Sequence, residues 1–384
     1  MTTFYEFIKI AIRKEKVYVI GTRVKIPLKR KETGAMGKTR RDFLKTVGAT
    51  AVGAGAVMAG ARKIHAQATP QFKWKAQCLW SPAETSYKAF EDLCKRIYAM
   101  TNGRLEITPF SSGSIVPNTE CLDAVKNNVM QAMHQASVYF SGKNPALAAL
   151  GDLTMAWEHP WEADLYFHYA GGFELLDDIY KRLGVHLVGI MWWGMESYPS
   201  KKPLRRLEDF KGLKIRVPQG MEADLLARLG ASVIVLPGTE IYSALDKGVV
   251  EATNWSVVSD NDRLGYHKVA PYFTYPGFHS MPTGDFAVNP KEWEKLPADI
   301  KAMLPVACRQ WSWDVIQRLA LDDLRVVQEA KAKGATPVTW TSEEKARIRA
   351  EAMKVWADWK KKNEDTRKAI ESMEAFLRKL GKIK

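Results

Sequence analysis

The segment between residues 213 and 255 alternates between strand-like and helix-like patterns, and this alternation restricts the fold more than any other feature of the chain. Short apolar runs are followed by amphipathic stretches that end at a glycine, as helices commonly do. The pattern predicts strands at 213–217, 232–236 and 249–255 and helices at 221–229 and 240–247, with Thr239 as the N-cap of the second helix. This alternation is typical of an α/β architecture, and the chain is long enough for two lobes with a cleft between them.

Similar patterns extend on both sides of this segment. They predict strands at 72–79, 105–110 and 185–192, and helices at 84–100, 120–127, 163–183 and 298–334. A further long helix is expected after Thr341, because Thr341 and Glu344 have the spacing of a reciprocal capping box.

The N-terminal region has the pattern of a twin-arginine export signal. Arg40 and Arg41 stand in the sequence TRRDFLK, and an Ala/Gly-rich apolar stretch at 47–60 follows, too short to cross a hydrocarbon core of roughly 30 Å. A small-x-small cleavage site, Ala66-Gln67-Ala68, comes next. We therefore expect residues 1–68 to be an N-terminal extension and signal peptide, with 36–68 the signal proper. The mature protein then works in the periplasm and does not itself span the membrane.

The charge of the chain argues against nucleic-acid binding once this leader is set aside. The formal net charge is +14, but residues 1–68 contain 15 Lys or Arg and only 4 Asp or Glu. The leader therefore carries +11 and the remainder only +3. A basic stripe of the kind that binds nucleic acid is not indicated.

No cofactor or catalytic motif appears in the sequence, which favours a binding protein over an enzyme. The seven histidines are scattered, and no metalloprotease, nucleophile-elbow or glycine-rich phosphate motif is present. The four cysteines lack C-x-x-C spacing, so a disulfide and buried free thiols both stay open. A secreted enzyme exported in the folded state is the main alternative function.

Arg216 is the strongest candidate binding residue from its position alone. It lies near the C-terminal end of the predicted strand 213–217, just before a helix, where α/β sheets bind ligands. Its guanidinium can hold a carboxylate through two parallel hydrogen bonds. An ion pair with a nearby acid such as Glu222 is the alternative role. As a residue facing a cleft, Arg216 is expected to contribute little to stability.

Several segments resemble the solute-binding proteins of tripartite ATP-independent periplasmic (TRAP) transporters. The core segments are 209–218 (DFKGLKIRVP), 236–245 (LPGTEIYSAL) and 247–252 (KGVVEA), and 101–105 (TNGRL) resembles an early helix-to-strand turn. The segments 139–145 (YFSGKNP) and 275–279 (YPGFH) resemble the branch that binds 2-oxo acids, lactate and related monocarboxylates.

The resemblance implies a fold, partners and a mode of action. The fold is a two-lobe, type II-like periplasmic binding protein with long C-terminal helices bracing both lobes. Residues 69–187 and 256–285 form one lobe and residues 188–255 and 286–384 the other, with crossings near 185–190, 250–256 and 280–288. The partners are a small and a large membrane subunit. A binding protein of an ATP-driven importer or a sensor is a further alternative.

The resemblance also implies the residues of a site for a small organic acid. Arg216 matches the arginine that clamps the substrate carboxylate in this family, and Trp255 stands at a matched position. The other candidate ligand-binding residues are Asn254, Trp80, Tyr139, His279 and Trp192. Trp192 and Trp193 are adjacent on a predicted strand, so one of them is expected in the core.

A metal ion beside the ligand is expected to be absent. Members of the branch use a Glu-Trp pair and a later polar side chain as ligands, whereas this chain has Asn254-Trp255 and, further on, Ser280. An upstream glutamine of the branch aligns loosely with Met195, next to Glu196. An amide in place of a carboxylate removes the charge that a hard cation needs most. Na⁺ or Ca²⁺ held by Asn254, Trp255 and Ser280 is the alternative.

The export signal gives a first testable prediction. Exported protein should begin at Thr69 within a residue or two, because cleavage follows Ala68, and translation should start at Met36. N-terminal sequencing of periplasmic material measures both. Exported protein that retains residues 1–35 would contradict the start site, and unchanged export after R40K/R41K would contradict the twin-arginine route.

Overall fold

The structure, a computed structural model, describes residues 70–384. The predicted leader, the start at Met36 and the mature terminus at Thr69 lie outside the described residues. No helix between residues 70 and 384 is both long enough and apolar enough to cross a membrane.

The strands form two mixed sheets. The first sheet has the order β2-β1-β3-β10-β4, and the second has the order β11-β9-β5-β8-β6-β7. The strands are β1 (Phe72–Cys78), β2 (Leu105–Phe110), β3 (Ala132–Ala136), β4 (His186–Trp192), β5 (Pro199–Ser200), β6 (Lys214–Arg216), β7 (Ser232–Ile234), β8 (Ala252–Thr253), β9 (Tyr272–Thr274), β10 (Thr283–Val288) and β11 (Thr336–Val338). In the first sheet β10 runs antiparallel to both of its neighbours, and in the second β6 runs parallel to β7 and β8.

Helices connect and cover these sheets. They are α1 (Thr85–Met100), α2 (Cys121–Lys126), α3 (Ala146–Gly151), α4 (Pro160–Tyr169), α5 (Gly172–Leu183), α6 (Met221–Arg228), α7 (Ile241–Asp246), α8 (Val258–Arg263), α9 (Tyr266–Val269), α10 (Pro290–Glu294), α11 (Ala298–Glu329), α12 (Ser342–Trp359) and α13 (Glu364–Lys379). The predicted α/β class is therefore confirmed. The main apolar core is one continuous cluster that includes residues of both sheets.

Sheet membership differs from the expected lobe boundaries at two strands. β4 lies in the first sheet and β9 in the second, whereas the expected division assigns most of β4 to the second lobe and β9 to the first. The chain changes sheet between β4 and β5, between β9 and β10, and between β10 and β11. β8 and β9, which flank the expected crossing near 250–256, both belong to the second sheet, and the lobe boundaries stay a prediction.

The long helix α11 braces elements that belong to both sheets, as the family resemblance implies. It packs against β4 and α1 of the first sheet and against α8, which connects two strands of the second. Asp322 of α11 accepts hydrogen bonds from Thr85 of α1 (3.0 Å) and Arg263 of α8 (2.6 Å). One carboxylate therefore ties the start of α1 to α8.

Local backbone requirements explain where some predicted elements break. The predicted helix 163–183 is divided into α4 and α5, because Gly171 has a left-handed backbone (φ 92°) that helices do not continue through. α5 ends at Gly184 (φ 88°), as predicted. The predicted strand 249–255 is reduced to the two residues of β8.

The two predicted N-caps have different outcomes. The Thr341 side chain accepts the backbone N–H of Glu344, so this cap is confirmed. The reciprocal half of the capping box is not formed, because the Glu344 carboxylate accepts the N–H of Leu207 instead. Thr239 is not an N-cap, because it lies inside the 3₁₀ turn Gly238–Glu240 that precedes α7. All four cysteines are free and buried.

These caps give a stability test with a matched control. Thr341→Ala should lower the free energy of unfolding by about 1 kcal/mol, because it removes the acceptor of an otherwise unpaired helix N–H. Thr239→Ala should change it by less than about 0.5 kcal/mol. Chemical denaturation of both variants measures the difference. Equal losses would contradict the assignment of Thr341 as a cap.

Candidate ligand-binding site

Arg216 lies at the carboxyl end of β6, where its guanidinium is held by backbone carbonyl groups. Nε and Nη2 donate to the Leu236 oxygen at 2.9 and 2.8 Å, and Nη1 donates to the Asn254 oxygen at 2.6 Å. Leu236 and Asn254 follow β7 and β8, the two neighbours of β6. Carbonyl oxygens orient a guanidinium without neutralising it. Arg216 is therefore a buried cation in a fixed orientation at the ends of three parallel strands.

The surroundings of Arg216 change two expectations. No carboxylate oxygen of residues 70–384 lies within 4.0 Å of its guanidinium, so the ion pair with Glu222 is not formed among the described residues. The side chain is only 1% exposed. Its removal would leave two carbonyl groups without these donors, so it supports the fold more than a residue facing open solvent does.

Trp255 covers one face of Arg216. The centre of its ring lies 5.6 Å from the guanidinium carbon, and its Nε1 donates to Glu84 Oε1 at 2.9 Å. Gly238 makes room for the ring, because a β-carbon at this position would lie 2.2 Å from it. Glu84 precedes α1 of the first sheet and Trp255 follows β8 of the second, so this contact joins the two sheets across the site.

Three tryptophans form an aromatic wall next to this contact. The Trp80 ring meets the Trp255 ring edge-on at 5.9 Å and the Trp193 ring edge-on at 4.8 Å. Trp192 points to the other face of its strand, where it packs against Phe167 and His168. The structure therefore places Trp193 beside Trp80, whereas Trp192, the candidate from the sequence, packs in the core.

Trp80 and Tyr139 complete the first-sheet side of the site. Trp80 Nε1 donates to His134 Nε2 at 3.2 Å, and His134 Nδ1 lies 2.8 Å from the Asp285 carbonyl oxygen. Burial lowers the pKa of His134 to about 4, so the ring is neutral and can accept the indole N–H. Burial raises the pKa of Tyr139, and Arg216 opposes this increase, so the Tyr139 hydroxyl lies near the guanidinium.

A second group of polar side chains lies around Glu222, at the start of α6. Glu222 accepts the Tyr198 hydroxyl at 2.6 Å and the amide nitrogen of Asn254. His279 Nε2 lies 3.5 Å from Glu222, and its ring stacks on Tyr198 with centroids 3.7 Å apart. Burial raises the pKa of Glu222 to about 7, with Arg216 acting in the opposite direction. Burial lowers the pKa of His279 well below its ordinary value, so His279 does not supply a positive charge.

Ser280 lies between two further buried carboxyl groups. Its Oγ is 2.7 Å from Asp152 Oδ2 and 3.0 Å from Glu196 Oε2. One hydroxyl proton cannot serve both carboxyl groups, so one of them must hold a proton of its own. In agreement, burial raises the pKa of Asp152 to about 7, and burial together with the charges of Asp152 and Glu222 raises that of Glu196 well above its usual range.

Sequence reasoning missed most of these acidic residues. Glu222 appeared only as a possible partner of Arg216, Glu196 only through a loose alignment, and Asp152 and Glu84 not at all. These acids stand out because they are buried without a basic partner. One sequence does not show whether a single Asp or Glu is buried, so they could not be predicted. By contrast, the structure brings together Arg216, Trp255, Asn254, Trp80 and Tyr139, with His279 and Ser280 on the Glu222 side.

Residues 70–384 combine two linked sheets with a buried cation at the ends of parallel strands, an arrangement that suits a solute-binding protein. The chain belongs to the bacterial extracellular solute-binding protein family 7 (DctP), whose model matches residues 77–363. This is the family of periplasmic binding proteins that serve TRAP transporters. Its members are binding proteins rather than enzymes.

Three relatives illustrate the similarity. A monocarboxylate 2-oxoacid-binding periplasmic protein of Nostoc sp. is 34% identical over 245 residues, which span 62% of this chain and 65% of that protein. A TRAP solute-binding protein of Bordetella bronchiseptica, solved with copurified calcium and picolinate, is 28% identical with a TM-score of 0.73, covering 82% of this chain and 94% of that one. A protein of Pseudoalteromonas atlantica with bound sodium and pyruvate is 27% identical with a TM-score of 0.71, covering 81% and 95%.

The two side chains expected around a metal ion, Asn254 and Ser280, are uncharged. Between residues 70 and 384 no group of three or more His, Cys, Asp or Glu side chains is placed to hold one. Asn254 directs its amide nitrogen to Glu222, and the Ser280 hydroxyl donates to a carboxyl group. Asn254 Oδ1 and the lone pairs of Ser280 Oγ remain neutral acceptors, so these two side chains lack the carboxylate charge that a hard cation needs most. The expectation that binding needs no Na⁺ or Ca²⁺ stays a prediction.

The buried carboxyl groups predict that stability depends on pH. The pKa of Glu222 is raised from 4.5 to about 7 in the folded protein, so the folded state keeps a proton that the unfolded chain releases in this interval. The free energy of unfolding should therefore fall as pH rises from about 4.5 to about 7. Glu222→Gln should remove a part of this fall on the order of 2–3 kcal/mol.

Denaturant unfolding at pH 5 and pH 8 measures the dependence. The exposed Glu371→Gln is the control and should keep the slope of the wild type. Identical slopes for Glu222→Gln and the wild type would mean that Glu222 is already ionised at pH 5 in the folded protein.

Proposed function

We propose that the protein is an extracytoplasmic receptor that binds a small organic acid between the two sheets. It delivers this acid to the small and large membrane subunits of a TRAP-type secondary transporter. A monocarboxylate such as a 2-oxo or 2-hydroxy acid is the first candidate ligand. The receptor reaches the periplasm by the twin-arginine route, and it performs no catalysis.

The observation that carries this proposal is the state of Arg216. Three of the five N–H groups of its guanidinium are bound to two carbonyl oxygens, and no carboxylate of residues 70–384 lies within 4.0 Å of it. A buried cation of this kind is completed by an anion. A carboxylate offers two oxygens with the spacing of the guanidinium fork, and the contact is charge-assisted.

The aromatic lining of the site supports an acid with a flat or apolar body. Trp80, Trp193 and Trp255 supply ring surfaces next to Arg216. Such a wall suits apolar carbon and offers little to a polyhydroxylated sugar. The relatives agree with this class, since the Nostoc protein is a 2-oxoacid-binding protein and the Pseudoalteromonas protein was solved with pyruvate.

Arg216 is the residue that tests this function. Arg216→Ala should weaken binding of the acid found in a thermal-shift screen of organic acids by roughly two to four decades in Kd, because the carboxylate would lose its buried partner. Arg216→Lys should recover only part of the affinity, since an ammonium lacks the planar fork. Calorimetric titration measures each Kd, and a melting curve of each variant separates loss of binding from loss of fold.

A second arginine provides the control. Arg228→Ala removes a half-exposed arginine at the end of α6, on the same helix as Glu222 but paired with Glu351, and should leave the Kd unchanged. Normal binding by folded Arg216→Ala would place the carboxylate elsewhere or show that the ligand is not an acid.

A further inference from the structure

A group of lysines lies at the amino end of β6, whereas Arg216 lies at the carboxyl end of the same strand. The lysines come from β6 itself, from the turn before it, and from the segments that follow β5 and α7. Four of the five side chains are exposed, and the fifth is half-buried. We call this set the basic patch: Lys201, Lys202, Lys211, Lys214 and Lys247.

The main chain of Glu251 brings three segments of the basic patch together. Its N–H donates to the oxygen of Lys214, and its oxygen accepts the N–H of Lys201, both at 2.7 Å. The main chains of Lys201 and Lys214 are therefore two strand spacings apart, or about 10 Å. Gly248, which follows Lys247, lies on the same side, because a β-carbon on Gly248 would be 3.8 Å from Lys201 Nζ.

The basic patch has more positive than negative charge, and the excess is large for this protein. Glu251 pairs with Lys202 at 2.8 Å, and the other four lysines have no carboxylate within 4.0 Å among residues 70–384. Asp246, next to Lys247, is the second acid of this region. Five lysines and two acids give +3, which equals the net charge of residues 69–384, so the remaining charges sum to zero. The positive charge is therefore localised on this surface.

The kind of residue in the basic patch suits a diffuse negative surface. A lysine ammonium is a strongly hydrated point charge on a flexible stem, without the planar fork that arginine offers to one defined partner. Protein–protein interfaces are enriched in aromatic residues and arginine and depleted in lysine. The exposed apolar neighbour of the patch is Val249, a small side chain that is 48% exposed. Anionic lipid head groups attract each nearby lysine without requiring a fixed geometry.

We propose that the basic patch holds the protein on an anionic lipid surface. The inference goes beyond the proposed function, because it adds a partner that the ligand site does not involve. Lys214 and Arg216 stand at opposite ends of β6, so the lysines that meet the lipid are not residues of the ligand site. A receptor held in this way reaches a membrane-bound transporter by moving along a surface instead of through the whole volume.

Vesicle co-sedimentation tests this association. One set of vesicles is pure phosphatidylcholine, and the other contains about 30% phosphatidylglycerol, which is anionic. The protein is recovered from the periplasm and its N-terminus is sequenced, because an attached leader would add +11 and bind anionic vesicles itself. We expect binding to the anionic vesicles alone at low ionic strength, and loss of this binding in about 0.5 M NaCl, where charges are screened.

Two triple variants with the same change of charge locate the contact. K211Q/K214Q/K247Q should lower the partition coefficient on anionic vesicles by at least about tenfold. The control is K73Q/K75Q/K379Q, which removes three exposed lysines of β1 and α13 that also form no ion pair among residues 70–384. It should stay within about threefold of the wild type. Melting curves verify that both variants fold, and both should keep the Kd for the organic acid.

Several results would overturn the inference. Equal binding to neutral vesicles, or binding that salt does not weaken, would mean an apolar contact. Equal losses in the two triple variants would mean that net charge rather than the basic patch attracts the protein. If the wild type binds only vesicles that contain the membrane subunits, and K211Q/K214Q/K247Q weakens this binding, the patch meets an acidic protein surface instead of lipid. The proposed function is separate from all of these results, because it fails only if no organic acid binds.

Discussion

The burial of the Arg216 guanidinium is the constraint on which the arrangement of the site depends. A charged group taken out of water needs hydrogen bonds for its donors, and the free ends of β7 and β8 provide them through the oxygens of Leu236 and Asn254. Because these are main-chain atoms, the direction of the guanidinium is set by the geometry of the sheet. The neighbouring side chains are then free to serve the ligand. This explains why Trp255 can lie over the cation and Asn254 can direct its amide toward Glu222.

The same cost of burying a charged group applies to the carboxyl groups of the site. Glu222, Glu196 and Asp152 are buried beside neutral donors, and their pKa values are raised by this burial. Carboxyl groups in such a place weaken the folded state unless they hold a proton. Structural ion pairs elsewhere in the protein look different, since Asp164 and Glu374, for example, are paired with Arg309 and Lys360. Among residues 70–384 Asp285 is also buried without a basic partner, but it lies beside Tyr180 and Gln135 and not beside Arg216.

Much of the second sheet was predictable from the sequence because its signals are local. The strand before Arg216, the helix that follows it and the stops at Gly230 and Gly248 depend on neighbouring residues, and Arg216 was found by its place at a strand end. The assignment of β4 and β9 to their sheets depends on pairing over long distances along the chain, which no local pattern reports. Trp192 and Trp193 show the same limit of local patterns, because the sequence named Trp192 as the candidate whereas Trp193 lies beside Trp80. Alternation predicts that the two rings face opposite sides of the strand, but only the packed fold decides which side is the site.

The contact between Trp255 and Glu84 connects the ligand site to the interface between the sheets. Glu84 Oε1 accepts the Trp255 indole N–H, and its Oε2 is held by the backbone and hydroxyl of Ser81. The next two residues of α1, Thr85 and Ser86, donate to Asp260 of α8, so the start of α1 is attached to the second sheet at two neighbouring points. A movement that separates the sheets must break these bonds together, since they belong to three consecutive residues. The ring that covers Arg216 would then lose its anchor at the same moment as the first sheet moves away. Separation of the sheets would therefore break the contact of Trp255 with Glu84 while Trp255 and Arg216 stay together on the second sheet.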